Sequence, residues 1–305
     1  MKKLLLFLLL TGVAGAIAPA GAATWPSKPI RLIVPYVPGG STDFISRGMG
    51  EPLGTALGKN IIVENRPGAT GTIALTAVSG AQPDGYTLVT ATDVIAILPF
   101  AYRKLAFDPV KSFAPISTIS AQPLVVVVNP ALPAKTIKEF FALTKARAGE
   151  VSFGTSGTGT AQHLTGEMIK KIIGIDMTHI PYKGGGQAIT ELIGGHVPAA
   201  ILGSSTVLPH HRSGKLRILA VTSKKRSKAL ADVPTLAESG VTGMDITQWI
   251  GLLAPAGTPK EITDRLNAEV GKILNTAAMQ QRFESAGFET NPSTPQELTA
   301  EIEQG

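Results

Sequence analysis

The chain alternates short runs of β-branched and other apolar residues with longer segments in which apolar residues recur every four positions. The run at residues 30–34 predicts a strand, and the four-residue spacing over residues 45–57 predicts a helix with one buried face. Residues 124–128 include four consecutive valines, which predicts a strand buried on both faces. Strands that alternate with helices in this way predict an α/β fold with mainly parallel sheets flanked by helices.

The first 23 residues have the pattern of a secretory signal peptide rather than of a folded element. Two lysines precede the apolar run Leu4–Leu10, which is too short to span a bilayer. Small residues follow, and we expect cleavage near Ala22 or Ala23. No cysteine is present that could carry a lipid anchor. We therefore expect a soluble, exported protein located in the periplasm.

Composition narrows the classes of function further. Because the chain has no cysteine, disulfides, thiolate metal sites, iron–sulfur clusters and thiol catalysis are excluded. The five histidines lack the H-E-x-x-H spacing, and we expect neither a metal nor a cofactor. The formal charge is +6, or +4 without the two leader lysines, which suits a small anionic ligand. The basic run Lys224–Arg226 is interpreted as a solvated loop, so nucleic acid is not an expected partner.

Glycine, serine and threonine cluster three times where a predicted strand gives way to a predicted helix. The clusters lie at Gly39–Asp43, Ser156–Thr160 and Lys183–Gly186, with a looser fourth at Pro67–Thr72. At a helix start, unpaired backbone N–H groups point outward with the positive end of the helix dipole behind them. Glycine lets a ligand approach this backbone closely, and hydroxyl groups add donors. Several such turns at the carboxyl ends of parallel strands predict an anion-binding site.

A purely structural role also fits each turn taken alone, because Ser, Thr and Asp are common N-caps. Three such turns in one chain favour the anion site. Asp43 either caps its helix or binds an amine or hydroxyl of the ligand. His163, at the start of the helix after the second turn, either donates to a bound carboxylate or caps that helix. Trp249 is expected to line the ligand cleft rather than the core, because Gly251 follows where the backbone should pack closely.

Phosphate-binding motifs fail at the second turn. Gly154 and Gly159 have the spacing of a P-loop, but Thr160 and Ala161 follow in place of Lys and Ser or Thr. A dinucleotide fingerprint that begins at Gly157 and Gly159 fails at Gln162.

Serine catalysis is an alternative that the sequence supports only weakly. A nucleophile elbow around Ser156 needs glycine two residues later, where this chain has Thr158. His163 is seven residues from Ser156, so a catalytic pair would need an unusual loop. An exported hydrolase or transferase that uses Ser156 or Ser41 is therefore kept as an alternative to a binding protein.

Short motifs follow one another in order along nearly the whole mature chain. They are Trp25–Ile30, Val34–Asp43, Glu64–Ala69, Pro83–Thr87, His163-Leu164, Pro181–Gly184, Gly214–Arg217, Val233–Leu236 and Ala254–Pro259. Each motif alone is weak, but the ordered set is highly specific. On these motifs the chain resembles the solute receptors of tripartite tricarboxylate transporters, the Bug-type extracytoplasmic binding proteins.

The resemblance implies a two-lobed, periplasmic-binding-protein-like (Venus flytrap) fold in which each lobe is a mainly parallel sheet flanked by helices. It implies a first lobe at residues 24–123 and 250–305 and a second lobe at residues 124–249, with the ligand between them. The chain is expected to cross between the lobes near residues 124–128 and 249–254, within about ten residues.

The resemblance also implies which residues hold the ligand's carboxylate, partly through ordered water. Trp249 joins this set as the expected wall of the cleft. The first-lobe residues are Pro38, Gly39, Gly40, Ser41, Thr42, Asp43 and Thr70, and those of the second lobe are Ser156, Thr158, His163, Tyr182 and Lys183.

The chain departs from the family pattern at two acidic positions. Many relatives carry an aspartate just after the segment that here reads Gly195–Pro198, and another where Gly203 stands. Neither acid is present here. A ligand amine on that side of the cleft is therefore not expected, although Asp43 remains available.

We therefore expect a periplasmic receptor, not an enzyme, that binds a small organic anion of the carboxylate class. It is expected to be a monomer and to deliver its ligand to the membrane permease subunits of a tripartite-tricarboxylate-type transporter. A ligand-sensing module that acts on a membrane sensor without transport is a further alternative. Dicarboxylates, tricarboxylates, aromatic acids and acidic amino acids all fit the sequence.

Overall fold

The computed structural model describes residues 25–304, so the expected signal peptide lies outside the described residues. These residues form ten strands and ten α-helices. The strands are β1 (Ile30–Val34), β2 (Ile61–Asn65), β3 (Thr87–Thr92), β4 (Phe113–Val128), β5 (Ser152–Thr155), β6 (Thr178–Pro181), β7 (Ala199–Gly203), β8 (Arg217–Val221), β9 (Thr247–Pro255) and β10 (Glu289–Thr290). The helices are α1 (Ser41–Leu57), α2 (Thr72–Ser79), α3 (Val94–Ala101), α4 (Ile137–Ala146), α5 (Ala161–Ile173), α6 (Gly185–Ile193), α7 (Ser204–Arg212), α8 (Lys260–Leu274), α9 (Ala277–Ser285) and α10 (Pro295–Gln304).

The strands divide into two sheets that share the long strand β4. The first sheet contains β1, β2, β3, β9, β10 and the beginning of β4, and the second contains β5, β6, β7, β8 and the end of β4. The first sheet with its packed helices is called the first lobe, and the second sheet with its packed helices is called the second lobe. Pairing is parallel among β1, β2 and β3 and among β5, β6 and β7, as the alternation of strands and helices predicts.

The crossing strands β4 and β9 are antiparallel to their neighbours. β4 pairs with β9 as far as Pro123 and with β7 from Leu124 onward, so it passes from one sheet to the other without interruption. The chain returns just before β9, where the backbone N–H of Ile246 still donates to Thr222 of the second lobe. The division of the lobes at residues 123/124 and 249/250 stays a prediction.

Each sheet is covered by apolar side chains on both of its faces. In the second lobe, Leu124, Val126 and Val128 belong to one core cluster, while Val125 and Val127 belong to the cluster on the opposite face. All five are buried, as expected for a strand whose successive side chains alternate between two covered faces. The first lobe repeats this arrangement, with Ile250 and Leu252 on one face of β9 and Leu253 on the other.

The folded arrangement brings the carboxyl ends of the parallel strands of both lobes toward each other. The loop after β1 lies against the first turn of α6, and Ser41 at the start of α1 contacts the first turn of α7. The site described below is built at this junction.

Candidate ligand-binding site

Helix starts from both lobes meet at the junction between the sheets. The hydroxyl of Ser41, the first residue of α1, lies 2.8 Å from the hydroxyl of Ser205 and 2.9 Å from that of Thr206 in α7. A Cβ at Gly186 in α6 would collide with the carbonyl oxygen of Pro38, so only glycine permits this approach of the two backbones. The first and third turns singled out in the sequence therefore touch each other across the lobes.

Three of these helix starts have no side-chain cap. The N-cap residues of α1, α6 and α7 are Gly40, Gly184 and Gly203, which have no side chain to cap the helix. In α7 the side chain of Gln122 accepts from the backbone N–H of Ser205. By contrast, Thr160 caps α5 by accepting from the backbone N–H of His163. For the first and third turns, the ordinary capping role that the sequence left open is therefore not the one observed. Uncapped N-termini keep their N–H groups and dipoles available for an anion.

A small cavity lies where the uncapped helix starts converge. Its volume is about 20 Å³, which is room for about one water molecule. A dicarboxylate would therefore enter only if the lobes move apart. Both lobes contribute to the lining, which comprises Tyr36, Gly40, Ser41, Thr42, Ser156, Gln162, Gly185, Gly203, Thr206 and Gln248.

A larger cavity of about 200 Å³ adjoins the small one, and Tyr36 and Ser156 line both. It holds several of the residues expected at the site. Its lining comprises Tyr36, Gly68, Ala69, Thr70, Gly71, Tyr102, Ser156, Gly157, Thr158, Pro181, Tyr182 and Lys183.

Thr70 joins the lobes across the larger cavity from a strained backbone. Its φ and ψ are 54° and 33°, and Ala69 before it also has a positive φ of 46°. Non-glycine residues rarely adopt this left-handed conformation, and such strain is often concentrated at functional sites. The Thr70 hydroxyl donates to the carbonyl oxygen of Thr158 at 2.9 Å and accepts from the hydroxyl of Tyr102 at 3.1 Å.

Asp43 is held by its own lobe and does not line either cavity. Its carboxylate accepts from Arg47, from the amide of Asn65 and from the backbone N–H of Gly39. Burial by itself would raise the pKa of Asp43, but these hydrogen bonds lower it below the ordinary value. This ionised group fixes the Gly39 turn, which explains the acid within a predicted anion site.

His163 is also engaged within its own lobe. Its ring stacks on His179 with 4.0 Å between centroids, and its Nδ1 accepts from the backbone N–H of Gly159 at 3.2 Å. Nε2 lies 4.0 Å from a carboxylate oxygen of Glu167. Burial lowers the pKa of His163, and burial together with the neighbouring ring lowers that of His179 to about 4. The structure gives His163 the role of fixing the second turn, and its contact with ligand stays a prediction.

Ser156 lines both cavities but has no base beside it. Its hydroxyl and its backbone N–H both bond to the side-chain oxygen of Gln162, which is an amide and cannot accept a proton as a general base. Ser41 bonds only to the hydroxyls of Ser205 and Thr206 among the described side chains. Neither serine therefore has the neighbour that the hydrolase alternative needs.

Trp249 packs in the first lobe beside Leu298 and does not line either cavity. The physical reason is strand alternation, because adjacent residues of β9 point to opposite faces and Gln248 takes the face toward the cleft.

Tyr182 and Lys183 line the larger cavity from the second lobe. Pro38 and Gly39 shape the first turn without lining either cavity.

One helix start of the site, at Gly203, and the neighbouring Gln122 and Gln248 in the crossing strands were not predicted from the sequence. Gly203–Thr206 is a further turn of the same glycine and hydroxyl type after a strand, so the same signal was present there. A Cβ at Gly203 would collide with the side chain of Gln122 and lie 2.8 Å from the Ser41 hydroxyl. This arrangement has no space for any side chain at position 203.

The described residues also show whether a metal-binding cluster or a membrane-spanning helix is present. Within residues 25–304, no group of three or more His, Asp or Glu side chains is arranged to hold a metal ion. No helix in the same range combines the length and the apolar character needed to cross a bilayer.

Comparison with known proteins places the chain among solute receptors. A model of the tripartite tricarboxylate transporter family receptor matches residues 45–304. Protein BugT of Bordetella pertussis is 37% identical over 284 residues, which cover 92% of this chain and 87% of BugT. The matched family is one of transport receptors, not of enzymes. The periplasmic binding protein BugD is 34% identical with a TM-score of 0.88, and the match covers 92% of this chain and 94% of BugD.

Two solved structures superpose on nearly the whole chain. Rpa4515 of R. palustris, solved with adipate, is 32% identical with a TM-score of 0.90, and the match covers 92% of this chain and 94% of that one. MatC of Rhodopseudomonas palustris, solved with bound malate, is 28% identical with a TM-score of 0.85, and covers 92% of this chain. That match spans 97% of the MatC chain. The protein therefore has the two-lobed fold of periplasmic binding proteins and belongs to the tripartite tricarboxylate transporter receptor family.

Proposed function

We propose that this protein is a periplasmic receptor that binds a small organic acid as its carboxylate between the two lobes and delivers it to a tripartite-type membrane transporter. The observation that carries the proposal is the convergence of three helix starts with glycine N-caps, from α1, α6 and α7, on one cavity. A carboxylate placed there receives backbone N–H groups from both lobes, so binding and lobe closure favour each other.

The residues proposed to hold the carboxylate are polar residues and helix starts that line the two cavities. In the first lobe they are the Gly40–Thr42 helix start and Thr70, and in the second lobe Ser156, Thr158 and the Tyr182–Lys183 turn. Tyr36, Gln162, Thr206 and Gln248 join the set because they line the small cavity. Lys183 supplies a positive charge at the larger cavity.

Ligands of related proteins support the carboxylate class. Rpa4515 was solved with adipate and MatC with malate, and both share the fold of this chain over 92% of its length. Both acids carry two carboxylates at different spacing. The larger cavity, at about 200 Å³, gives space for the remainder of such a molecule once one carboxylate occupies the helix starts.

Closure provides the affinity without any chemical step on the ligand. The carbonyl oxygen of Pro38 lies close to Gly186 across the cleft. Hydrogen bonds to charge strengthen when closure excludes water. The serine environments described above supply no base, so the acid is expected to be released unchanged.

A thermal-shift screen of the mature chain with organic acids tests the proposal directly. The panel includes succinate, malate, adipate, citrate, benzoate and L-glutamate. An acid present at 100 times its Kd is expected to stabilise the folded protein by about 2.7 kcal/mol, since it binds the folded state alone. Positive hits are then measured by calorimetry, and mass spectrometry of the released ligand shows whether it is unchanged.

Variants of the site give the matched control. Thr42→Ala removes a hydroxyl from the lining of the small cavity, and Ser79→Ala removes one from the exposed end of α2. We expect Thr42→Ala to weaken binding about tenfold, the loss of roughly one hydrogen bond to a charged group, and Ser79→Ala to leave it unchanged. Equal affinities in the two variants would contradict the site, and a panel in which only cations or neutral compounds bind would contradict the function.

Delivery to a membrane transporter is tested separately in cells. Uptake of the best acid is measured with the receptor and the membrane subunits encoded by the same genome, then with either one deleted. The proposal predicts loss of uptake in both deletions. A signalling response that persists without any uptake would instead support the sensing alternative.

A further inference from the structure

Asp93 is a carboxylic acid at the edge of the site that the binding proposal above does not use. It follows β3 directly and precedes α3. Because β1 and β3 are parallel neighbours, Asp93 lies at the same sheet edge as the loop that ends at Gly40. Its Oδ1 is fully enclosed and has no hydrogen-bond partner. Enclosed polar atoms without partners are rare in folded proteins and call for an explanation.

Hydrogen bonds through both crossing strands orient Gln248, which together with Thr92 donates to Asp93. The backbone N–H of Ser205 in α7 donates to Oε1 of Gln122 at 3.0 Å, and Nε2 of Gln122 donates to Oε1 of Gln248 at 3.1 Å. Since the oxygen of Gln248 is taken, its amide nitrogen is the group left to donate to Asp93. The second lobe is thus connected to Asp93 through two side-chain amides.

Two residues that line the small cavity lie beside Asp93. One is Gln248, and the other is Tyr36, whose phenol interacts electrostatically with the carboxylate of Asp93. Burial is the main reason that the pKa of Tyr36 is raised, and Asp93 adds to this effect. Asp93 therefore lies beside residues of the ligand cleft, although it lines neither cavity itself.

The surroundings of Asp93 favour its uncharged form. The groups that face it are Thr92 on β3, Gln248 on β9 and Tyr36 from the loop after β1, and none is cationic. Within residues 25–304, no basic side chain lies within ion-pair distance of Asp93, and Lys183 reaches the cleft from the opposite lobe. Burial raises the pKa of Asp93 to about 7, although hydrogen bonds from Gln248, the backbone and Thr92 oppose the shift. A bound carboxylate would add like-charge repulsion and favour the neutral acid further.

We propose that Asp93 is a specificity-determining contact that binds the ligand in its neutral form, by donating a hydrogen bond from its carboxyl group to a carboxylate oxygen of the acid. This inference rests on the proposed function. The proton comes from solvent when the ionised acid binds above neutral pH, and it returns to solvent when the acid leaves. The site is then expected to prefer acids without an amine, because an ammonium group needs an ionised partner.

Calorimetry of the full mature chain tests this with succinate, malate, adipate and L-aspartate as probes. Titration at pH 8 in two buffers of different ionisation enthalpy counts the protons taken up with the ligand. We expect uptake approaching one proton by the wild type, and affinity that falls by up to about tenfold per pH unit above pH 7. Asp93→Asn keeps the shape and a donor group, so it is expected to bind with little dependence on pH and without proton uptake.

Asp232→Asn is the matched control, because Asp232 is exposed and the charge change is the same. It is expected to keep the proton uptake of the wild type. The proton count on the wild type does not depend on whether any variant folds.

Three results would overturn the inference. The first is binding of a dicarboxylate by the wild type without proton uptake at pH 8. The second is an unchanged pH profile in Asp93→Asn. The third is tight binding of L-aspartate that Asp93→Asn abolishes at every pH, which would show an ionised Asp93 bound to an ammonium group. If the wild type binds none of the probes nor any acid of the wider panel, the proposed function fails and this inference fails with it.

Discussion

The hydroxyl of Thr70 donates to the carbonyl oxygen of Thr158 at 2.9 Å, and this single bond connects the loop after β2 to the loop after β5 across the cleft. Its donor lies on a backbone with a positive φ of 54°, which a threonine rarely adopts. The closed arrangement of the lobes is thus supported by a residue whose own conformation is costly.

Loss of this bond should weaken ligand binding by favouring the open form. We expect Thr70→Ala to raise the Kd of the best acid roughly two- to tenfold, because a neutral hydrogen bond contributes about 0.5–1.5 kcal/mol. Thr70→Ser should retain most of the affinity. The control is Thr72→Ala, since the hydroxyl of Thr72 bonds only locally to Ala69. Calorimetry provides the measurement, and equal weakening by Thr70→Ala and Thr72→Ala would show that the bond across the cleft is unimportant.

Gly186 should be the position at which the smallest added group prevents closure. A Cβ there would collide with the carbonyl oxygen of Pro38 on the opposite lobe, and overpacking of this kind typically costs about 1–3 kcal/mol. We expect Gly186→Ala to weaken binding by roughly five- to 150-fold and to leave the protein more extended in small-angle scattering with ligand present. Gly271→Ala in α8 is the control, because nothing lies near a Cβ at that position. Scattering curves that superpose for the two variants would argue against the contact.

Asp43 should matter more for the stability of the first lobe than for the choice of ligand. The pKa of Asp43 is below its ordinary value, so its contribution is present above the pKa of the unfolded chain and is lost as pH falls through the folded value. We expect Asp43→Asn to lower the free energy of unfolding at pH 7 by about 1–3 kcal/mol. Urea denaturation at pH 7 and pH 3 checks this, with a smaller difference between variant and wild type expected at pH 3. If the variant were as stable as the wild type at pH 7 but no longer bound organic acids, Asp43 would instead be a ligand contact.

The stacked histidines should make the second lobe sensitive to mild acid. The pKa of His179 is lowered to about 4 by burial and by the ring of His163. The folded state therefore binds fewer protons than the unfolded state between pH 6.5 and 4, and stability falls as pH falls through this window. We expect a loss on the order of 2 kcal/mol. His179→Gln, which keeps a donor for the hydroxyl of Thr155, should flatten this part of the profile. An unchanged slope in that variant would place the pH sensitivity elsewhere.

Much of the fold follows from local patterns that the tertiary structure does not override. The four valines before Asn129 form a strand buried on both faces because an apolar run without polar alternation has no side that water can solvate. The capping pair Thr136 and Glu139 starts α4 as its spacing indicates, with Thr136 accepting from the N–H of Glu139. Parallel pairing of β1 with β3 follows from the intervening helices.

The site was predictable where its chemistry is local. The Gly40 and Gly184 turns were recognised because glycine before a helix start leaves backbone N–H groups exposed. Asp93, Gln122 and Gln248 were not found, because they become neighbours only when β3, β4 and β9 pair across large distances in the chain. Sequence spacing carries no information about such pairing, and a lone acid or amide has no motif.

The position of Trp249 shows that the sequence does not determine which face of a strand a residue occupies. A glycine two residues later suggested a tight approach in the cleft, and the approach exists, but it is to Leu298 in the core. One residue of strand register decides between the two faces, since adjacent side chains point in opposite directions. A sequence alone does not fix that register.

The 16-residue strand β4 gives the two lobes a shared backbone instead of a flexible tether. Relative motion of the lobes must then arise from bending and twisting of paired strands, whose ladder stays intact. The stiffness of this joint then depends on the paired strands themselves. Substitutions near Pro123 would therefore change the rate at which the receptor releases its ligand. The residues that contact the ligand would stay the same.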